Sequence, residues 1–286
     1  MAVANISRAG SSHDLWLPEL WTPEVQLATK NKLVIAPLVD DRWNKPALKL
    51  GDTIRVPTVT NLTSRTKSVD TAITFETNAE STINITVNTH TYSAIRIEDI
   101  AELQTNVNLR AVYTNELAYP IALAIDDSLA ALFTGFTTNT VGTAGVNMSD
   151  DDMLLAYQKL LEADTEVTPS MTNWVISPKE FAGLYKHDKF ITAGKATEMF
   201  RDVKPGRGFV GVLYNAGVHV TNNLDASGSG TSATLMHKEA IALVVSRTPR
   251  MQTDYDIFHL SDVVVVDAFY GSKEMRDKYG VSILAS

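Results

Sequence analysis

The chain has 286 residues, 44% of them hydrophobic, which is enough for a sizeable core in one or two domains. Twenty-five basic against 33 acidic residues leave a net charge of −8, which excludes the single-sign basic footprint that seeks out nucleic acid by electrostatics. The absence of cysteine excludes disulfides, thiolate catalysis and Cys-ligated zinc.

The opening residues MAVANISRAGSSHD lack an apolar h-region, so no secretory signal is expected. Residues 1–15 are small and polar. Trp16, Leu17, Leu20 and Trp21 follow as a dense apolar cluster. Thr22-Pro23-Glu24 predicts a helix start, with a hydroxyl cap, proline at the first position and an acid at the positive end of the dipole. That helix is expected to stop before Pro37. It is expected to dock on its own domain, with a neighbouring subunit as the other option.

Gly51 to Pro57, GDTIRVP, alternates apolar and polar residues and predicts a strand, with Pro57 placing it at an edge. Asn61–Asp70 is a polar tip carrying Arg65 and Lys67. Ser81–Ile97 is the clearest strand pattern in the chain. Ile83, Ile85, Val87, Thr89, Thr91, Ser93, Ile95 and Ile97 share one face, and a strand of that length would extend about 50 Å. Together the two strands predict a long two-stranded arm, marginal in water on its own and in need of a partner surface.

Ile97–Phe133 has the longest helical periodicity and would reach roughly 55 Å as a single helix. Pro120 lies inside it, so a kink or break is expected near Glu116–Tyr119, giving one bent rod or two helices joined at the proline. Ser149 with Asp152 predicts a capping box, and Asp150, Asp151 and Asp152 crowd the first turn of a helix ending near Ala163. A calcium loop at these acids lacks the alternating ligand spacing and the central glycine.

Asn173–Ser177 reads as a short buried strand, and Pro178 opens a helix over Lys179–Lys186. A polar stretch with Lys189, Lys195, Arg201, Lys204 and Arg207 follows. Phe209–Thr221 is strand-rich, with a turn expected at Asn215–Gly217, and Asp225–Ser232 is a flexible loop. Ala240–Ser246 and Val263–Tyr270 predict buried strands, after which Gly271 is expected to turn the chain toward a last strand at Val281–Leu284. The run Val263–Val266 is far short of the roughly 18–20 residues of a membrane span. Strands and helices mix without βαβ alternation, so the fold class is α+β.

No convergent catalytic set emerges. Gly206–Gly211 matches GxGxxG, yet strand residues follow where a dinucleotide site needs a helix, and the next acid, Asp225, comes too soon. The six histidines are scattered without metal-ligand spacing. His187-Asp188 is adjacent only in sequence. Asp126-Asp127 and Glu98-Asp99 occupy successive positions of the predicted helix, point apart, and fit a solvated or ion-paired face. No catalytic, cofactor-binding or metal residue is assigned, and no cofactor is expected.

The order of elements nevertheless has a likeness. A short N-terminal helix, GDTIRVP, a β-arm, a long helix, NWVISPKEF, GFVGVLYNAGVHVTNN, HKEAIALVV and DVVVVDAFYGSKEMRDKYGVSIL together resemble the major capsid protein of tailed bacteriophages, the Hong Kong ninety-seven type fold. The resemblance spans nearly the whole chain and rests on order and lengths. It implies an N-arm at 1–48, an extended E-loop at 49–96, a P-domain with the spine helix at 97–148 and 236–270, and an A-domain at 149–235 and 271–286. It implies shell formation through hexamers and pentamers around double-stranded DNA, in a virion assembled in the host cytoplasm. Partners would be further copies of the chain, a separate scaffolding protein and a portal, with no membrane and no sequence-specific DNA contact. Trp16, Trp21, Arg65, Lys67, Arg201, Lys204 and Arg207 are the candidate inter-subunit contacts. One branch of the family cross-links E-loop lysines; Lys67 lies in that region, and no cross-link is expected. The alternatives are an encapsulin-like nanocompartment shell and, from another class, a soluble α+β enzyme.

Overall fold

The computed structural model describes residues 33–44, 51–59, 62–76, 80–98, 109–184, 208–224 and 231–285. The first strands are β1 (Thr53–Val59), β2 (Glu80–Thr86) and β3 (Thr89–Glu98). β1 and β2 pair antiparallel from Thr53↔Thr86 to Val59↔Glu80 and form a two-stranded ribbon, in which Pro57 costs no ladder beyond its single partner. The predicted strand Ser81–Ile97 is therefore two strands. The break falls at Val87, whose N–H donates to Asp52 O and whose carbonyl accepts from Gly51 N. The alternation survives the break: Ile85, Val87 and Ile97 are buried while their neighbours face out.

β3 leaves the ribbon and enters a three-stranded antiparallel sheet, order β3–β10–β9, with β9 (Ile241–Asp256) and β10 (Ser261–Glu274). Ile97 and Glu98 belong to β3, opposite Asp262 and Ser261, and not to the start of the long helix. β9 and β10 extend far past the predicted 240–246 and 263–270. Gly271 does not turn the chain but sits inside β10, where its backbone approaches Thr86 of β2. Between Asp267↔Arg250 and Phe269↔Arg247 the register shifts, giving a bulge that accommodates Pro249 in β9.

Helix α1 runs from Leu109 to Ala131, straight through Pro120 in a single assignment, so the chain has neither a break nor two helices there. Pro120 is exposed, and the carbonyl that loses its donor lies on a side water can reach. Leu117 and Ile121 pack against Val264, Val266 and Ala268 of β10. Further along, Leu129, Ala130 and Phe133 pack with Phe136, Val175, Met236, Ile241 and Tyr270. One helix thus ties the three-stranded sheet to a second, larger sheet. By length and composition alone Glu116–Gly135 would suffice to cross a bilayer; here it packs on both sheets and carries Asp126 and Asp127.

The second sheet has six strands in the order β4–β11–β8–β5–β7–β6: β4 (Thr140–Gly142), β5 (Thr172–Ile176), β6 (Phe209–Leu213), β7 (Ala216–Val220), β8 (Thr231–His237) and β11 (Gly280–Leu284). It is mixed, with β4/β11 and β5/β7 parallel. Helix α2 (Asp150–Glu162) carries the predicted capping box: Ser149 Oγ accepts from Asp152 N at 3.2 Å, and Asp152 Oδ2 accepts from Ser149 N at 3.0 Å. Met153, Ala156 and Leu160 of α2, with Leu184 of α3 (Pro178–Leu184), bury against Trp174, Ile176, Leu235, Val281 and Ile283. Val175 and Met236 face the other way, toward α1. The turn between β6 and β7 uses Tyr214 and Asn215, at φ 48° and 56°, instead of Asn215–Gly217. Residues 33–35, where the predicted helix was expected to end, are not helical, and Pro37 lies within a 3-10 turn, Ala36–Leu38. The predicted helix start at Thr22–Glu24 lies outside the described residues.

Candidate functional site

The ribbon ends in a tip, residues 62–76, whose described residues are nearly all exposed. Its internal order is polar. Glu76 accepts from the Thr63 backbone N–H at 3.1 Å, from the Thr63 hydroxyl and from Arg65 Nε at 3.1 Å. These bonds, led by the Thr63 hydroxyl, hold the Glu76 carboxyl below its usual range. Arg65 is therefore engaged within its own tip, while Lys67 is exposed. Around them Leu62, Val69, Ile73 and Phe75 point outward, Val69 at 97% exposure and Phe75 at 85%. Large apolar side chains left this open on one short segment mark an interaction surface.

A second such surface closes the β9–β10 hairpin. Tyr255, Ile257, Phe258 and Leu260 are exposed, Phe258 at 95%. Asp256 shapes this tip by accepting from Phe258 N at 3.0 Å and pairing with His259 Nδ1 at 2.5 Å, and the His259 contact lowers its carboxyl below the usual range. Asp254 and Asp262 lie beside it in the sequence, so this tip is acidic where the ribbon tip carries Arg65 and Lys67. Nothing in the sequence reading pointed to it, although Ile257-Phe258 between Asp256 and His259 is an apolar pair placed where a turn is otherwise polar.

Of the seven candidate inter-subunit contacts, Arg65 and Lys67 lie among the described residues. Trp16, Trp21, Arg201, Lys204 and Arg207 lie outside the described residues, as does His187-Asp188. Among the described residues no catalytic constellation comes together. Among the described residues no group of three or more His, Asp or Glu could hold a metal ion. Gly208, at φ +73°, leads directly into β6, so a strand stands where the dinucleotide motif requires a helix. Glu98, in a strand, is not part of a helical carboxylate pair. Asp126 corrects the reading of a solvated face: it is completely buried and accepts four hydrogen bonds. The ion cluster on the outer face of the three-stranded sheet is structural. Arg250 Nε donates to Asp267 Oδ1 at 2.8 Å, His90 Nε2 lies 3.4 Å from Asp267 Oδ2, and the His90 ring sits 4.2 Å from that of Phe269. Arg250, more than His90, keeps the Asp267 carboxyl low.

No family model matches the sequence, and no curated protein matches it. Solved structures do. A chain from Mycobacterium phage Che8 superposes with a TM-score of 0.75 at 20% identity, covering 94% of this chain and 97% of that one. The cyanophage Pam1 capsid asymmetric unit gives 0.76 at 12% identity, covering 99% of each chain. The capsid of a native GTA particle gives 0.70 at 12% identity, covering 99% of this chain and 100% of its own. Identities this low show the fold, and the fold extends over the whole chain. It is α+β and shared with phage capsid structures from end to end.

Proposed function

We propose that the chain is the major capsid protein of a tailed phage or a closely similar particle, a structural subunit and not an enzyme. The observation that supports this best is the full-length match: ribbon, spine-like helix and both sheets recur together in capsid chains of nearly equal length, with 99% coverage on both sides for the cyanophage capsid. The two exposed tips suit the same role. Each is too apolar to be at rest in water, and they sit on separate hairpins, as a subunit touching several neighbours requires.

In this reading copies of the chain form hexamers and pentamers and close into an icosahedral shell around double-stranded DNA, found in the virion after assembly in the host cytoplasm. A separate scaffolding protein and a portal complete the assembly. Residues 1–48 serve as the N-arm and 49–96 as the E-loop. The segments 97–148 and 236–270 make the P-domain, and 149–235 with 271–286 the A-domain. With a net charge of −8, the subunit holds DNA by enclosure and not by a basic surface.

Expression of the chain alone and with a phage scaffolding protein, followed by electron microscopy of the product, tests the proposal. Closed shells of uniform size holding DNA are expected. Monomers or small oligomers under every condition, with no shells, would refute it. Shells loaded with a cargo enzyme in place of DNA would assign the chain to nanocompartments instead.

A further inference from the structure

Asp126 is a buried carboxylate whose donors are all neutral. It lies on α1 beyond Pro120 and has no solvent exposure. Its Oδ1 accepts from Ile35 N and Ala36 N, both at 3.0 Å, and its Oδ2 accepts from Val34 N and Asn223 Nδ2, both at 3.1 Å. Of the three backbone donors Ala36 is the first residue of the 3-10 turn Ala36–Leu38, Ile35 is its cap residue and Val34 precedes it. A helical turn leaves its first N–H groups without partners, and its own cap residue, Ile35, offers no side-chain acceptor. Asp126 therefore caps this turn from a helix distant in sequence, with a charge that the N-terminal dipole favours. Asn223 ties the segment after β7 to the same carboxylate.

We propose that Asp126 is a latch that fixes Val34–Ala36 in place and couples them to the half of α1 beyond Pro120. Pro120 removes one rung of the helix ladder, so bending of α1 is easiest there. Any such bend carries Val34–Ala36 and Asn223 along with Asp126 as one block. The neighbouring contacts do a different job. Arg42 pairs with Asp40 and Glu239, and Arg276 with Glu239, which fasten residues 40–42 to the 238–240 turn through a half-exposed ion cluster. Among the described residues Asp126 supplies the hydrogen bonds that tie 34–36 to the helix, beside the packing of Ile35 with Leu129, Ala130 and Phe133. The latch rests on contacts within one subunit; its effect on a shell rests on the capsid reading.

Hydrogen exchange on the unassembled full-length chain tests it, comparing the wild type with Asp126→Asn and Asn223→Ala. In the wild type the Val34, Ile35 and Ala36 amides are expected to exchange as slowly as those of β5. Asp126→Asn presents an amide N–H₂ to donors and is expected to speed these amides about ten- to a hundredfold, with β5 unchanged. Asn223→Ala, which leaves the three backbone donors in place, is expected to give a smaller acceleration. Fast exchange at 34–36 in the wild type overturns the latch whatever the variants do. So does an Asp126→Asn chain that exchanges like the wild type, or one loosened equally at β5. Normal shell yield and shape from a subunit loosened only at 34–36 would refute the link to assembly. If the wild type builds no shell at all, the capsid reading fails while the exchange data still decide the latch.

Discussion

Tyr214 shows how one side chain offsets an unfavourable backbone. It stands at φ 48° and Asn215 at 56°, so β6 and β7 are joined by a two-residue turn with both central residues in the left-handed region, the geometry that suits strand twist but disfavours a bulky residue. The side chain anchors the turn. Its hydroxyl donates to Asp150 Oδ1 at 3.0 Å, and its ring lies 5.8 Å from that of Tyr157. Burial first, and then the Asp150 carboxylate, push the phenol up to about 12. The folded value lies above the unfolded one of about 10, so the contribution of the neutral phenol is complete below about pH 10 and is lost as the pH rises through about 12. An ultraviolet titration of the folded chain compared with Tyr214→Phe is expected to assign a late-ionising phenol to Tyr214, with Asp150→Asn moving it down. A Tyr214→Phe difference that falls at the ordinary phenol value of about 10 would contradict this. The sequence reading placed this turn too late, on Asn215–Gly217. A glycine invites a turn, but Gly217 is needed in β7, where a Cβ would come within 2.8 Å of Asn173 Oδ1 on β5. The capping box at Ser149 was legible because it is closed within four residues and depends on no other part of the fold.

At the scale of elements, the decisive contact is where β2 crosses β10. A Cβ on Gly271 would lie 2.2 Å from Thr86 O and 3.0 Å from Val87 Cα, both backbone atoms that no rotamer change can move. Gly271→Ala is expected to destabilise the fold by about 1–3 kcal/mol, read as a lower denaturant midpoint, and to make residues 51–86 more open to proteolysis. A wild-type midpoint with an unchanged cleavage pattern would mean that the ribbon does not rest on β10. The alternation from Ser81 to Ile97 was readable, because each residue's face depends only on its neighbours. That the strand changes partners at Val87 was not, because both halves keep the same pattern while pairing with β1 and β10 respectively. Helix α1 was readable as a long rod, but Ile97 and Glu98 were also counted in it, and only their pairing with β10 assigns them to β3. Pro120 was expected to interrupt the helix, and contacts on both sides of it, Leu117 and Ile121 with one core and Leu129 and Phe133 with another, outweigh the one missing donor.

The two hairpin tips, both without a core of their own, stand out from a body held, among the described residues, by four packed cores around the sheets. Deleting residues 61–70 is expected to leave a folded subunit, with unchanged circular dichroism and thermal midpoint, while abolishing closed shells. Residues 62–70 are all exposed, so no buried side chain among them is lost. Shell yield equal to wild type would show that the ribbon tip is dispensable. The order and lengths of elements carried the fold resemblance, since spacing along a chain constrains topology even when no short motif does. The contact residues were not legible in the same way. A surface that meets another molecule is defined by what it leaves uncovered, and the apolar tip at Ile257-Phe258 shows that only after the rest of the chain has folded away from it.

The outer edge of β9 bears on what a crowded population of these subunits can do. Along its first half the free edge groups are already taken: Asp40 O accepts from Leu243 N at 2.9 Å, and Asn44 Oδ1 accepts from Val245 N at 2.8 Å. Farther on Pro249 has no N–H to offer, and the bulge bends the ladder there. An open edge is the readiest place for one chain to add itself to another as an extra strand. Over the first half of β9 that route is closed by a covering segment, a missing donor and a bend, so along this stretch one copy cannot add itself to another by backbone pairing.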